Sequence, residues 1–266
     1  MWIPTLYFVE GIPYFLVNNV SVLMFAKMGV PNGQMALFTS LLYLPWTLKF
    51  LWSPFVDIIK TKRWWIITMQ IIMSIAFVVQ ALTMPHPSAE SIAAGSTPMS
   101  LFSFTLILFV FAAFASATHD IAADGFYMLA QSQSSQAAFV GVRSTFYRLA
   151  NVFGNGVIVA VAGLLETRTG NIPLAWQLTI GGSGILLTGL TLYHTFAIPK
   201  PESDVPNIQE DSGNKVAEIF AGFGRTVTTY FKKPGVWLAI IFMLCYRLPE
   251  AFLIKMCTPF LVRHER

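Results

Sequence analysis

Charge is scarce in this chain: of its 266 residues only 11% are Asp, Glu, Lys or Arg, against roughly 25% in an ordinary soluble domain. A water-soluble globule of this length would lack the polar side chains to cover its surface. Cysteine is nearly missing too. The two present, Cys245 and Cys257, are twelve residues apart in one apolar run, too far along a helix to bond to each other, so no disulfide framework is implied. A basic segment and a small-residue cleavage site are also lacking near the start, and the first apolar run carries Glu10, Asn18 and Asn19. It reads as a retained helix rather than a signal peptide. Strict alternation of apolar and polar residues is absent as well, which excludes an outer-membrane barrel.

Long apolar runs are what the chain does have. It is 55% hydrophobic with a mean hydropathy of +0.62, and seven runs are each long enough to cross a hydrocarbon core about 30 Å thick at about 1.5 Å rise per residue. The spans are expected near 3–27, 35–56, 64–84, 101–123, 139–165, 174–197 and 236–262. The fold class is therefore an all-α polytopic membrane protein, embedded in a lipid bilayer. Lys60, Lys62, Arg63, Lys200, Lys215, Arg225, Lys232 and Lys233 fall in alternate connections, against Lys27 and Arg168 in the others. Because Lys and Arg collect in cytoplasmic loops, this bias places the N-terminus inside. It also accounts for the net charge of +4 without nucleic-acid binding.

The connection 198–235 divides by composition. Its first part is Pro-rich and acidic and reads as a flexible linker. Its second part, 215–233, spaces Val216, Ile219, Phe220, Phe223, Val227, Tyr230 and Phe231 by three and four, the pattern of an amphipathic helix. Such a helix either lies along the inner membrane surface or packs on the protein's own helix ends. Six spans (1–197), a linker and one further span (236–266) match one half of a major-facilitator-type transporter plus the first span of the next half. The expectation is an incomplete transporter whose C-terminal half is missing, or else a seven-span protein.

A charge within a span costs about 2.5 to 3.5 kcal/mol on insertion scales, so it faces a bundle interior or a wet cavity. Glu10 lies in span 1, Lys49 in span 2, His119 and Asp120 at the end of span 4, Arg148 in span 5, and Arg247, Glu250 and Lys255 in span 7, whereas spans 3 and 6 contain no Asp, Glu, Lys or Arg. In a facilitator half the third and sixth helices lie outermost. Glu10, Lys49, Asp120 and Arg148 all fall in the inner half of the membrane, so cross-helix pairs are expected: Glu10 with Lys49, and Asp120 or Asp124 with Arg148. Such pairs would hold the bundle together, or gate the inner side and relay protons. Asp120 and Asp124, four apart, share a helix face, where one could carry a proton; alternatively, Asp124 ends the helix in interfacial water. In span 7, Arg247 and Glu250 flank Pro249 at mid-membrane. A broken helix there suits either a substrate anion on Arg247 or an internal pair with Glu250.

These residues carry a resemblance. GIPYFL in span 1, TLKFLWSPFVD closing span 2, ATHDIAADGF in span 4, YRLANVFGNG in span 5 and YRLPEAFLIKMCTPFL in span 7 resemble permeases of the AmpG type, muropeptide transporters of the major facilitator superfamily that are similar to acetyl-coenzyme A transporters. The resemblance implies twelve or more spans and proton-linked import of sugar-peptide cell-wall fragments in a bacterial inner membrane. It draws attention to Asp120, Asp124 and Arg148 and, beside that Tyr-Arg element, to Asn151. Two departures stand out. The loop after span 2 keeps Asp57 and Lys62 but lacks the usual glycines and first arginine, and His119 stands where glutamine is frequent. A histidine there could add a proton carrier.

The expected function is thus a proton-coupled transporter of a small-molecule solute, not an enzyme, with no cofactor or metal. Proton-coupling candidates are Asp120, Asp124, His119 and Glu10. Substrate or gating candidates are Arg148, Lys49, Arg247, Glu250 and Asn151. The alternatives are a transporter of another solute such as acetyl-coenzyme A, or a seven-span receptor or retinal-type protein using Lys255.

Overall fold

The structure is a computed structural model that describes residues 2–205 and, beyond them, 222, 224–225, 228–229, 231–239, 241–242 and 245. All regular elements among the described residues are helical. Helix α1 is Ile3–Lys27 and α2 is a broken helix over 32–58; α3 is Lys62–Leu82, α4 is Ser103–Ala130, α5 is Gln133–Thr169 and α6 is Ile172–Ala197. Among the described residues α1, α3, α4 with its leading turn, and α5 are long and apolar enough to cross a membrane. Residue composition sets the other two apart. Four glycines, Gln177 and His194 dilute the apolar content of α6, and Pro45 and Pro54 interrupt α2.

The breaks in α2 follow from proline chemistry. A proline has no N–H to donate and its ring crowds the preceding turn. The helix runs Asn32–Leu42, resumes over Leu44–Leu48 with Pro45 in its first turn, tightens to a 3-10 segment at Lys49–Leu51, and resumes over Ser53–Ile58 with Pro54 in its first turn. The run expected over 35–56 is a kinked series of helical segments that delivers Lys49 at a break.

Helices α4 and α5 both run further than their apolar runs. The first continues to Ala130, past Asp120 and Asp124, and the second starts at Gln133. Ser132 separates them and caps α5, its hydroxyl accepting from Ser135 N at 3.4 Å. Asp124 thus does not end its helix. Arg148 stands fifteen residues into α5, about 22 Å along its axis.

In a bilayer the lipid tails are as apolar as the side chains, so close packing at small residues holds helices together. At Gly11 of α1 an added Cβ would sit 2.6 Å from Ala150 Cβ of α5, and at Gly154 of α5 one would sit 2.8 Å from Phe15 Cβ. Gly184 of α6 is as tight against Val78 of α3. Inside the bundle Phe25 meets Phe102 and Phe109 edge-on at 5.3 and 6.0 Å.

Helices α3 and α6 also share a buried polar seam. The carboxamide nitrogen of Gln70 is 2.9 Å from His119 Nε2 of α4, its oxygen is 3.0 Å from His194 Nδ1 of α6, and His194 Nε2 is 2.9 Å from Thr5 Oγ1 of α1. Ser74 and Thr191 meet at 3.4 Å beside it.

At the end of the bundle bearing the α2–α3 connection, Lys62 is ion-paired with Asp57, and its stem covers Gly125 of α4. Asp204 accepts from the backbone N–H of Lys62 at 2.7 Å and of Arg63 at 3.0 Å, capping α3. Arg63 in turn donates to the last carbonyls of α6, at Thr195 and Ile198, at 2.5 and 3.1 Å. At the opposite end Glu166 of α5 accepts from Lys27 at 3.0 Å and from Trp176 Nε1 at 2.8 Å.

The chain divides into two compact units, 1–208 and 209–266. In the second, the described residues 222, 224–225, 228–229 and 231 are helical, within the amphipathic stretch expected over 215–233. Gly235, at φ +82°, precedes a helical stretch starting at Val236, and Phe231 and Trp237 stack at 5.4 Å. Arg247, Glu250 and Lys255 lie outside the described residues, as does most of the span expected over 236–262.

Candidate functional site

A cavity of about 480 Å³ opens between α1 and α5, lined by Tyr7, Glu10, Val140, Arg143, Ser144, Tyr147 and Arg148. No residue of α3 or α6 lines it among the described residues. Helix periodicity explains the lining: Tyr7 and Glu10 are three apart on α1, and Val140, Arg143, Ser144, Tyr147 and Arg148 follow at three and four on α5.

Charges from three helices meet around Glu10. Asp120 and Asp124 of α4 and Arg143 of α5 are its charged neighbours. Glu10 Oε2 is buried without a hydrogen-bond partner among the described residues. Lys49 is ion-paired with Asp120, and Arg143 with Asp124. The Tyr7 hydroxyl donates to Asp124 at 3.2 Å. The Arg143 guanidinium lies over the rings of Tyr7 and Tyr127, 4.3 and 4.4 Å from their centroids, which adds cation–π attraction to its ion pair.

Two expected pairings are corrected. Lys49 takes Asp120, not Glu10, because the 3-10 segment of α2 lies against α4, where Trp52 Nε1 also donates to Thr118 at 3.1 Å. Asp124 takes Arg143, not Arg148, because α4 and α5 turn back at 131–132 and Arg143, five residues nearer that turn, lies closer to the level of Asp124. Arg148 is exposed in the cavity wall with no ion pair or hydrogen bond among the described residues.

His119 is not among these charges. It is fully buried and faces Gln70, about 100° around α4 from Asp120. Sequence reasoning missed Arg143, Tyr7, Gln70 and His194. The signal for Arg143 was present: it is a cation in an apolar run with an acid, Asp124, at the facing end of the preceding helix.

Beyond Arg148 the same face of α5 carries Asn151 and Asn155. Asn155 Nδ2 donates to Asn151 Oδ1, and Asn19 Nδ2 of α1 donates to Asn155 Oδ1 at 3.0 Å. Each helix has a π turn here, Leu16–Val20 in α1 and Phe153–Ile158 in α5, and the two turns pack together.

Comparison with known proteins places this arrangement. A family model described as acetyl-coenzyme A transporter 1 matches residues 2–153, more than half of the chain and all of α1 to α4. The chain belongs to the acetyl-coenzyme A transporter 1 family. It is also 25% identical over 266 residues to the anhydromuropeptide permease of Escherichia coli, covering 96% of this chain and 47% of that protein. An uncharacterized protein of Haemophilus influenzae is 21% identical over 262 residues, covering 96% of this chain and 55% of that one. An uncharacterized protein of Schizosaccharomyces pombe is 30% identical over 152 residues, covering 53% of this chain and 28% of its own length. The chain spans about half the length of the bacterial relatives it matches. For this member of the family, apolar helices and relatives together establish an integral membrane protein.

Proposed function

We propose that this chain forms the first six-span unit, with the opening span of a second, of a proton-coupled importer of an organic anion. It would lie in a bacterial inner membrane with its N-terminus in the cytoplasm. The favoured solutes are muropeptide-like cell-wall fragments, which carry carboxylates. Support comes from the E. coli permease, whose similarity covers nearly the whole chain. Acetyl-coenzyme A, favoured by the family model, is the second reading. Both are anions, and the site fits that shared chemistry.

The observation that carries the reading is Arg148. Four nearby ionic groups are matched in two pairs, Lys49 with Asp120 and Arg143 with Asp124, which leaves Arg148 on the cavity wall without a partner among the described residues. A guanidinium at membrane depth is costly unless an anion or water meets it, and its planar fork suits a carboxylate or phosphate. Glu10 supplies the coupling. Its Oε2 is buried without a hydrogen-bond partner among the described residues, near the Lys49–Asp120 pair, which makes it the carboxyl placed to carry the coupled proton. Release of Asp120 by Lys49, or its capture, would tie that proton to the helix arrangement. The test is uptake of labelled muropeptide and labelled acetyl-coenzyme A by proteoliposomes with an imposed proton gradient. The reading requires gradient-driven uptake of one of them, with none through the Arg148→Gln variant.

A further inference from the structure

We infer that the amide row Asn19–Asn155–Asn151 is a second subsite, one that hydrogen-bonds a secondary amide of the solute whose anionic group sits on Arg148. The inference rests on the proposed anion site and adds to it the neutral part of the ligand.

Arg148, Asn151 and Asn155 lie at i, i+3 and i+7 on α5, one stripe of a single helix face, and all three are exposed. Asn151 is the middle residue of Gln133–Thr169, so these carboxamides fall at the depth where lipid can satisfy none of their polar atoms. Each carboxamide offers two donors and an oxygen with two acceptor positions. The row uses one donor of Asn19, the oxygen and one donor of Asn155, and the oxygen of Asn151. Both N–H groups of Asn151 and the oxygen of Asn19 have no protein partner among the described residues. Donors and an acceptor side by side are the complement of a secondary amide, which offers one of each.

The backbone supports the same site. Both helices widen to a π turn beside the row, a feature found mostly where helices serve a function. Close approach at Gly154 fixes α5 on α1 there, so Asn19 and Asn155 are held in register. From Arg148 to Asn155 is about 10 Å along the axis. The geometry therefore selects an anion joined to an amide 5 to 10 Å away. An N-acylated acidic sugar and a phosphorylated pantetheine both meet that description.

The test uses the full-length protein in proteoliposomes and measures a ratio within each preparation, which cancels differences in folded protein. One arm compares uptake of N-acetylmuramic acid with its 2-deoxy analogue lacking the acetamido group. The other compares inhibition of uptake by acetyl-coenzyme A with inhibition by adenosine 3′,5′-bisphosphate, which lacks the pantetheine amides. In one arm the unmodified protein should prefer the amide-bearing probe by roughly tenfold, which identifies the source. The preference should fall to about onefold in Asn155→Ala and in Asn151→Ala, while Arg148→Gln abolishes the uptake measured in that arm. If Arg148→Gln is inactive and both asparagine variants keep the tenfold preference, the amide subsite is refuted and the anion site stands. If no preference exists in either arm, the subsite is refuted as well. If Arg148→Gln transports normally, the anion site itself fails.

Discussion

Lys49, at the point where α2 breaks, is ion-paired with Asp120 of α4, and Glu10 of α1 lies near the same aspartate. One carboxylate thus links the kinked helix to the helix that opens the cavity. The side chains are 37% and 16% exposed, so the pair is worth less than a fully buried one. Lys49→Met and Asp120→Asn should each lower stability by about 1 to 2 kcal/mol, with the double variant less unstable than the sum. Thermal unfolding of the purified single and double variants checks this. Additive losses would show that the two residues act separately.

Glu10 is a proton carrier in this account and has no part in holding the solute. Glu10→Gln keeps the shape and hydrogen-bonding capacity but cannot release a proton. Uptake driven by a proton gradient should fall at least about a hundredfold, the scale of a lost proton-transfer group, while exchange of labelled for unlabelled solute at equal pH continues. Loss of both modes would make Glu10 a structural or binding residue instead.

The contact of α1 with α5 depends on two glycines. Gly11→Ala places a methyl 2.6 Å from Ala150 Cβ, whereas nothing lies within 4 Å of a Cβ at Gly163 of the same bundle. Overpacking costs about 1 to 3 kcal/mol, so Gly11→Ala should destabilise and Gly163→Ala should not. Unfolding in detergent measures the contrast.

Asp204 joins the segment after α6 to the start of α3 through two backbone N–H groups. Its replacement by alanine should cost about 0.5 to 2 kcal/mol, the usual worth of a helix cap, and Asp204→Asn should recover most of that. Faster hydrogen exchange at the Lys62 and Arg63 amides in Asp204→Ala would be the local signature.

Sequence periodicity shows which stretches are helices, because a bilayer demands long apolar runs and the runs are there. It conceals their ends where charges are neutralised inside the fold. Asp124 looks like a helix end until Arg143 and Tyr7 are seen to satisfy it, and that pairing is what allows α4 and α5 to continue through a short, polar turn. Charge counting likewise passes over the third and sixth helices, although Gln70 and His194 place a polar seam between them. Glutamine and histidine do not register in a count of Asp, Glu, Lys and Arg. The identity of pairs is the least legible feature, since Lys49 chooses Asp120 over Glu10 through a break in α2 that no depth argument from the chain ends reveals. Arg148 needed no such knowledge to be singled out, for a guanidinium at mid-span is expensive wherever its neighbours lie.

The most direct measurement of the central claim is solute binding to the full-length protein with Arg148 changed to glutamine and, separately, to lysine. If Arg148 holds the anion, glutamine abolishes saturable binding of labelled muropeptide or acetyl-coenzyme A, and lysine, which keeps the charge but loses the planar fork, retains a weakened affinity. Undiminished binding by a folded Arg148→Gln protein would contradict the account.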